Sequence, residues 1–445
     1  MFFCLKKSLF LAFLITLINS CQRPPMDDND QPLPNFDREN RSDEALMDTV
    51  QRQTFKYFWD FAHPKSGMIL ERYHPTDQKD IHLITTGGTG FGIMAIITGI
   101  TRNYITRSEG LNRIQKMVDF LEKVERYHGA FSHWYDGQTS LTVPFSAKDD
   151  GGDLVETSFL IQGLLSARTF FNGEDQTEVT LRQKITKLYH EVEWDWYTNN
   201  RNQLYWHWSP KHHFEMNFSL KGWMETLITY VLASSSPTHS ISPNLYHQVW
   251  AQGTNFKNGN QYYSFELPLG PEMGGPLFFA HYSFLGLNPN IIYDEYADYY
   301  IQNKNHTLIN RAYCIDNPLE FPHYGENCWG LTASYSVGGY EAHSPTNDIG
   351  VISPTAAISS MPYTPKESMD ALRHFFFEHP ELWGEAGFYD AFSVSENWVS
   401  DGYLAIDQGP IIIMIENHRS SLLWNLFMSN EEIIDGLTRL GFKLK

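Results

Sequence analysis

Helical periodicity runs through most of this chain of 445 residues. Leu46, Val50, Thr54 and Phe58 recur at steps of four residues, the spacing of one face of an α-helix. Eleven further segments show comparable spacing: residues 89–102, 109–126, 153–171, 177–194, 219–234, 242–252, 272–285, 291–303, 365–379, 404–415 and 419–428. Few alternating stretches could build a main sheet, and no repeating unit marks an open solenoid. The pattern predicts an all-α fold, an (α/α)6 barrel or toroid with long loops and short β-hairpins around its cleft.

The first 21 residues follow the order of a secretory signal. Lys6 and Lys7 precede an apolar run at residues 9–18, which is too short to cross a bilayer as a permanent helix. Residues 17–21 (LINSC) resemble a bacterial lipobox, in which small residues lead to a cysteine that becomes lipidated. We expect removal of the signal and a lipid on Cys21. The alternative is a plain signal peptide with an incidental cysteine.

Residues 22–42 are rich in Pro, Asp and Asn and poor in apolar residues, so they cannot bury enough surface to offset the entropy of ordering. We interpret them as a flexible tether that precedes one large domain at residues 43–445. Such a chain is expected in the cell envelope, on the periplasmic or the outer-membrane face. Its contact with the membrane would be through the lipid anchor alone.

Composition narrows the class of partner. The net charge of −19 argues against nucleic acid, because phosphate binding needs clustered Lys and Arg. The 12 Trp and 24 Tyr supply flat rings on which sugars stack, although a Trp-rich core is the alternative. Cys314 and Cys328 are the only cysteines in the predicted domain, so we expect no more than one disulfide.

An acidic loop leads directly into one of the predicted helices. Asp149, Asp153 and Glu156 converge on the start of this helix, where negative charge is favourable. Asp153 followed three residues later by Glu156 also resembles a capping box, so helix capping alone is an alternative to a functional role. The spacing does not match a calcium loop.

Two other carboxyl groups stand within apolar segments. Glu225 follows Trp223 in a segment that we predict to be a helix running to Leu232, and burial there would raise its pKa as a general acid requires. A position on the solvent face is the alternative. Asp407 lies between apolar residues, and an unpaired buried charge costs several kcal/mol, so it should be partnered or functional. Paired carboxyl groups are what glycoside hydrolysis needs.

Other kinds of site have little support in the sequence. There is no G-x-S-x-G nucleophile elbow. Residues 87–92 (GGTGFG) lack the strand-helix context of a nucleotide loop, so their glycines are better explained by close helix packing. The spacing of His207, His212, His213 and Glu215 matches no common zinc site. We therefore predict no bound metal and no cofactor.

Several long motifs occur together in order along the chain. They are residues 152–159 (GDLVETSF), 274–286 (GGPLFFAHYSFLG), 342–345 (AHSP), 353–357 (SPTAA), 383–392 (WGEAGFYDAF), 405–410 (AIDQGP) and 415–417 (IEN). In these motifs the chain resembles the glucoamylase-like proteins of Bacteroidetes. Among those proteins it resembles the β-1,2-glucanases of glycoside hydrolase family 144. That family includes endo-acting enzymes and exo-acting ones that release sophorose.

The resemblance implies an (α/α)6 barrel, an inverting mechanism and a glucan or oligosaccharide as substrate. Carried over position by position, the essential acidic residues are Asp149, Asp153, Glu156, Glu225 and Asp407. We assign Glu225 as the general acid and Asp407 as the base, with the other three binding substrate. The aromatic and histidine residues that we expect in the cleft wall, each of which could instead be core, are Trp134, Trp223, His281, Tyr282 and Trp398. We expect a monomer.

Two alternatives stay open at this point. The sequence departs from the family pattern at Met224, where the pattern has Asn, and near Tyr335, where it has an acidic residue. An enzyme that cleaves another glucan linkage would fit these departures from the family pattern. A surface lipoprotein that binds glycan without cleaving it would also fit the signal, the tether and the aromatic content.

Overall fold

The computed structural model describes residues 41–77 and 79–445, and Ser42–Lys445 form one compact unit. The predicted signal, the lipidation site Cys21 and residues 22–40 of the tether lie outside the described residues. Within the described part of the chain, no helix is both long enough and apolar enough to span a bilayer.

Helices dominate, as predicted. The described residues form thirteen α-helices: α1 Asp43–Trp59, α2 Thr86–Thr101, α3 Arg107–Leu121, α4 Leu154–Phe170, α5 Gln176–His190, α6 Leu227–Ser235, α7 Asn244–Gln248, α8 Tyr299–Asp316, α9 Pro354–Ile358, α10 Pro365–Glu378, α11 Ala405–Ser420, α12 Leu422–Met428 and α13 Glu431–Arg439. Five helices are buried along most or all of their length, namely α2, α4, α6, α9 and α11. Four others keep an exposed face, namely α1, α3, α5 and α10. Outer and inner helices alternate from α1 to α6 and again from α9 to α11, as in an (α/α)6 barrel, and the predicted fold class is confirmed.

The strands are short and lie in the connections between helices. They are β1 Arg72–Tyr73, β2 Leu83–Thr85, β3 Trp134–Asp136, β4 Thr142–Val143, β5 Gly152–Asp153, β6 His207–Trp208, β7 Lys257–Tyr262, β8 Phe265–Leu269, β9 Ile292–Tyr293, β10 Ala333–Ser336, β11 Gly339–Ala342, β12 Trp383–Gly384, β13 Gly387–Phe388, β14 Phe392–Ser393, β15 Trp398–Val399, β16 Tyr403–Leu404 and β17 Lys443–Leu444. No sheet in the described residues has more than three strands, and all the pairs are antiparallel.

The inner helices α2 and α4 touch through their backbones. A Cβ atom on Gly90 would lie 2.0 Å from the carbonyl oxygen of Phe159, and one on Gly163 would lie 2.1 Å from the carbonyl oxygen of Gly90. Only glycine permits so close an approach, since side chains normally hold helix axes 8–10 Å apart. The interpretation of the glycine cluster at residues 87–92 as a packing feature is confirmed.

The predicted helix at residues 219–234 is wrong in its first half. α6 begins at Leu227, and the preceding residues donate backbone hydrogen bonds to other segments: Leu220 to Leu204, Gly222 to Trp250 and Trp223 to Asn255. Gly222 has φ +89°, which a helix cannot contain. Glu225 therefore lies in the turn that leads into α6 and not within the helix.

Two other helix predictions differ from the structure. Residues 272–285 form 3₁₀ turns instead of an α-helix, because Gly274 and Gly275 have positive φ values and Pro276 follows them. The helix predicted at residues 291–303 begins later, at Tyr299, where Asp298 caps it by accepting from the backbone of Tyr300 and Ile301. Both of these segments lie between α6 and α9 in the chain.

We predict that Gly90→Ala lowers the free energy of unfolding by about 3 kcal/mol, because the added methyl group would push α2 away from the backbone of α4. Gly325→Ala is the matched control, since no atom lies within 4 Å of a Cβ atom there. Thermal or denaturant unfolding measures both variants. Equal stability of the two variants would contradict the proposed backbone contact.

Candidate active site

The N-termini of several inner helices meet at one end of the barrel. The backbone N–H of Gly87, in the first turn of α2, donates to Glu156 in the first turn of α4 at 2.8 Å. A Cβ atom on Gly88 would lie 2.6 Å from that of Ala405, the first residue of α11. The hydroxyl of Thr355 in α9 donates to the carbonyl oxygen of Asp407 at 2.7 Å. Because helix N-termini carry partial positive charge, this end favours acidic groups.

Asp153 is fully occupied by hydrogen bonds within the protein. Its Oδ1 atom caps α4 by accepting from the backbones of Val155 and Glu156, each at 2.9 Å. Its Oδ2 atom accepts from Trp206 Nε1 and contacts His133 Nδ1, each also at 2.9 Å. Asp153 is an N-cap, whereas Glu156 binds Gly87 instead of completing a capping box. The role open to Asp153 is to hold His133 and Trp206 in place.

His133 lies between three carboxyl groups and was not selected from the sequence. Besides Asp153, its ring nitrogens lie 4.0 Å from both Asp149 Oδ2 and Glu156 Oε1. Burial opposes a charge on this imidazole, but the neighbouring carboxylates of Glu156 and Asp153 outweigh it and raise the pKa of His133 to about 10. The ring is therefore a cation at neutral pH.

Asp149 and Glu156 are both buried beside this cation. Burial, with a contribution from Asp153, raises the pKa of Asp149 to about 7. Burial also raises the pKa of Glu156 to about 7, although His133 opposes this shift. The Oδ1 atom of Asp149 lies 3.4 Å from His207 Nε2. Near pH 7 each carboxyl group can therefore either donate a hydrogen bond to a neutral polar ligand or accept one from it.

Asp407 is paired with a second aspartate, Asp390, which the sequence analysis did not select. Asp407 is 1% exposed and Asp390 is 2% exposed, and the two carboxyl groups lie close enough for each to shift the pKa of the other. The backbone N–H of Tyr335 donates to Asp390 Oδ2 at 2.6 Å. Burial raises the pKa of Asp390 to about 6, whereas burial and the charge of Asp390 raise the pKa of Asp407 far above its ordinary value. The pair thus holds one proton and one negative charge at neutral pH.

Glu225 is a buried carboxyl group with a free oxygen. It is 8% exposed, and its Oε2 atom has no hydrogen-bond partner among the described residues. Burial raises its pKa to about 7. The hydroxyl of Ser283 donates to its backbone carbonyl, which anchors the turn before α6.

The hydroxyl of Tyr282 lies near both Glu225 and the aspartate pair. Burial raises its pKa well above the ordinary value, and the charges of Asp407, Glu225 and Asp390 add to that effect. This hydroxyl has no partner among the described residues. Tyr340 on β11 is 48% exposed, yet burial of its hydroxyl end and the same carboxylates raise its pKa too. The two predicted catalytic residues therefore share one electrostatic environment.

Aromatic side chains line the mouth beside the acidic cluster. Phe145 is 50% exposed and stacks on His133 with 4.2 Å between ring centroids, while the half-buried Trp134 packs edge-on against Phe145. Phe218 is 49% exposed and packs edge-on against Trp206. Neither phenylalanine was selected from the sequence, because a lone Phe in a loop gives no periodic signal.

The other residues expected in the cleft wall have different positions. The ring of Trp223 packs among Trp250, Phe284 and Tyr299 in the core beneath Glu225. His281 is 2% exposed, and its Nε2 atom contacts Ser360 Oγ at 3.0 Å, so it belongs to the interior. Trp398 is half-buried on β15, a strand that pairs with β14 just after Asp390.

Glu71 is a further buried carboxyl group that the sequence analysis missed. It is 8% exposed and precedes β1, which pairs with β16 ahead of Asp407. Its charge acts on His133, Glu156 and Asp407. Glu71 therefore connects the acidic cluster around His133 with the aspartate pair. Its position directly after the apolar residues Met68, Ile69 and Leu70 could have indicated from the sequence that Glu71 is buried.

Comparisons with known proteins agree with this geometry. The family model named Glycoamylase matches residues 217–431. The solved endo-β-1,2-glucanase from Chitinophaga pinensis, in complex with sophorotriose and glucose, is 51% identical with a TM-score of 0.88, and the match covers 91% of this chain and 99% of that chain. The chain belongs to the glucoamylase-like family of glycoside hydrolases.

Two relatives in this family come from Parabacteroides distasonis. An exo β-1,2-glucooligosaccharide sophorohydrolase (non-reducing end) is 46% identical over 422 residues, which cover 90% of this chain and 58% of the relative. A solved β-1,2-glucanase is 46% identical with a TM-score of 0.87 over 90% of this chain and 60% of that one. The chain thus spans about three fifths of these two relatives. An endo-β-1,2-glucanase from Talaromyces funiculosus, 9% identical with a TM-score of 0.67 over 91% of this chain and 92% of that one, shares the fold.

We predict that Glu225→Gln stabilises this family member at high pH. A carboxyl group whose pKa is raised on folding contributes full stability below about pH 4.5, and that contribution is lost as the pH rises to about 7. The amide cannot ionise, so above pH 7 the variant should exceed the wild type by up to about 3 kcal/mol in free energy of unfolding. Near pH 5 the two should differ little.

Melting temperatures at pH 5 and pH 8 measure this difference, with Glu174→Gln as the control because Glu174 is exposed. A stability difference that does not grow with pH would mean that Glu225 is not desolvated.

Proposed function

We propose that this chain hydrolyses β-1,2-linked glucan or its oligosaccharides with inversion of configuration. One observation carries the proposal. The charges of Glu225 and of the Asp390–Asp407 pair both raise the pKa of the Tyr282 hydroxyl, so these carboxyl groups, whose own pKa values differ, surround one point. Glycoside hydrolysis by inversion needs one carboxyl group that donates a proton and another that activates water. The names of the Chitinophaga pinensis and Parabacteroides distasonis relatives, which are β-1,2-glucanases and a β-1,2-glucooligosaccharide sophorohydrolase, support the choice of linkage.

Glu225 is the proposed general acid. A donor must hold its proton at the working pH, and burial raises the pKa of Glu225 to about 7. Its Oε2 atom has no hydrogen-bond partner among the residues that the structure describes, so it is available to bind a glycosidic oxygen. When the bond to the leaving sugar breaks, the proton passes from Glu225 to that oxygen.

Asp407 is the proposed base, acting together with Asp390. The pair carries one negative charge at neutral pH and can take a second proton from water with a pKa of about 6. The hydrogen bond from the backbone of Tyr335 stabilises the charge that remains on Asp390. Asp407 accepts the water proton, directly or through a short relay, as the proton that it already holds moves to the charged Asp390, and the hydroxide attacks the anomeric carbon.

The group around His133 is proposed to bind sugar hydroxyls. Asp149 and Glu156 can each accept or donate near pH 7, and the imidazolium of His133 donates. The exposed rings of Phe145 and Phe218 offer apolar faces for stacking on a sugar. Asp153 acts as a positioning residue, since its oxygens are already used.

The site of action is proposed to be the cell envelope. The signal and the lipobox around Cys21 support a lipid anchor, and the composition of residues 22–42 supports a tether of the domain to the membrane surface. A polymeric glucan would meet the enzyme there without crossing the inner membrane.

We predict that protein lacking residues 1–21 releases sophorose or short β-1,2 oligomers from linear β-1,2-glucan. Starch, β-1,3-glucan and cellulose oligomers should remain intact. Glu225→Gln should lower kcat by about 10³-fold or more, because proton donation to the leaving oxygen is lost. Chromatography of the products measures both results, and the sugar released first should carry the α configuration at its new reducing end.

Glu174→Gln is again the control and should retain full activity. If the protein hydrolysed only another glucan, the proposed β-1,2 linkage would be wrong, whereas the proposed mechanism would stand. No hydrolysis of any glucan would favour a protein that only binds glycan.

A further inference from the structure

A second cluster of polar side chains lies away from the acidic residues of the cleft. Cys328 is in the connection between α8 and β10, His374 is in the last turns of α10, and His379 is the C-cap of that helix. The Cys328 Sγ atom and one ring nitrogen from each histidine all lie within 4.8 Å of one another. Cys328 therefore meets two histidines that lie 46 and 51 positions later in the sequence.

One ring nitrogen of each histidine lacks a hydrogen-bond partner in the described part of the chain. Nε2 of His374 and Nε2 of His379 are both buried without a partner among the described residues. Cys328 is 3% exposed and His379 is 6% exposed, so water does not readily supply the missing bonds. Burying two unpartnered imidazole nitrogens together costs free energy unless something binds them.

The opposite nitrogen of His379 is held by a carboxylate. Its Nδ1 atom lies 3.0 Å from Glu381 Oε1. A carboxylate on one imidazole nitrogen fixes the tautomer and turns the other nitrogen, as a neutral donor, toward a ligand. This is the arrangement that surrounds histidines bound to metal ions.

We propose that Cys328, His374 and His379 bind one thiophilic transition-metal ion, Zn²⁺ or Cu⁺. One thiolate and two imidazoles form a ligand set for such ions, whereas Mg²⁺ and Ca²⁺ require oxygen ligands. Binding forms the metal–sulfur bond and releases the thiol proton of Cys328 to solvent. His323, exposed and with its ring centroid 5.8 Å from that of His379, or a water molecule, completes the shell.

The ion would fasten two connections that lead to the acidic site. The segment after Cys328 continues into β10, where the backbone of Tyr335 binds Asp390. The segment after His379 continues through β12 and β13 to Asp390 itself. We therefore assign the ion a structural role. This inference does not rest on the proposed glucan hydrolysis.

Sequence spacing does not disclose this site, which explains why no metal was predicted. The two histidines are five residues apart, and the cysteine precedes them by 46 positions. Nearby Cys314 is also buried, and both cysteines are free thiols, so the single disulfide that the sequence allowed is not formed. Free Cys328 leaves its sulfur available to an ion.

Titration of the untagged, reduced protein with Co²⁺ tests the proposal. We expect one equivalent to bind and to produce a thiolate-to-cobalt charge-transfer band in the near ultraviolet. Zn²⁺ should abolish the band and raise the melting temperature, and competition with Cu⁺ identifies the preferred ion. Cys328→Ser should lose the band, whereas Cys314→Ser, the matched buried cysteine, should keep it.

Glu381→Gln is the variant to use if Cys328→Ser does not fold, because the Glu381 side chain is 47% exposed. It should weaken Co²⁺ binding about 10-fold or more. The proposal is overturned if the wild type gives no band, if Cys328→Ser keeps it, or if the protein is isolated with Cys314 and Cys328 joined as a disulfide.

Discussion

Desolvation of carboxyl groups at the shared N-terminal end of the inner helices is the constraint on which the site depends. The contact between the backbones of α2 and α4 at Gly90 brings the N-termini of these two helices together. Glu156 then reaches the backbone of Gly87, and the carboxyl groups of Asp407 and Glu225 are buried nearby in the barrel. The helix N-termini offset part of the cost of burying negatively charged carboxylates, and proton uptake by some of these carboxyl groups offsets the rest.

This arrangement separates the carboxyl groups into different protonation states. Burial, with a contribution from the charge of Asp153, keeps the proton of Glu225 near neutral pH. Asp390 and Asp407 share a proton, which leaves one charge on the pair. His133 balances the charge around Asp149 and Glu156. The proposed acid, base and sugar-binding group can thus coexist in one cleft because their immediate neighbours differ.

The sequence predicted the fold class because helical periodicity is local and repeats along the chain. It also identified Glu225 and Asp407 as carboxyl groups among apolar residues, and their burial is confirmed. It placed Glu225 within a helix because the apolar pattern continues through residues 219–226, whereas backbone hydrogen bonds to Trp250 and Asn255 hold that segment out of helical form.

Residues defined by distant contacts could not be found from the sequence. Asp390 gains its significance from Asp407, and His133 from three carboxyl groups that lie 16 to 23 positions later in the chain. Trp223 was expected in the cleft wall because tryptophan is common in sugar sites, but its ring fills the core beneath Glu225. A residue type indicates what a side chain can do, while the tertiary structure decides where it does so.

The dependence of kcat/KM on pH with β-1,2-glucan tests the central claim most directly. Below about pH 6 the Asp390–Asp407 pair takes up its second proton and can no longer activate water, and above about pH 7 Glu225 loses the proton that it must donate. The account therefore predicts a narrow bell-shaped profile with its maximum between about pH 6 and pH 7. A rate that keeps rising above pH 8 would contradict the assignment of Glu225 as the acid.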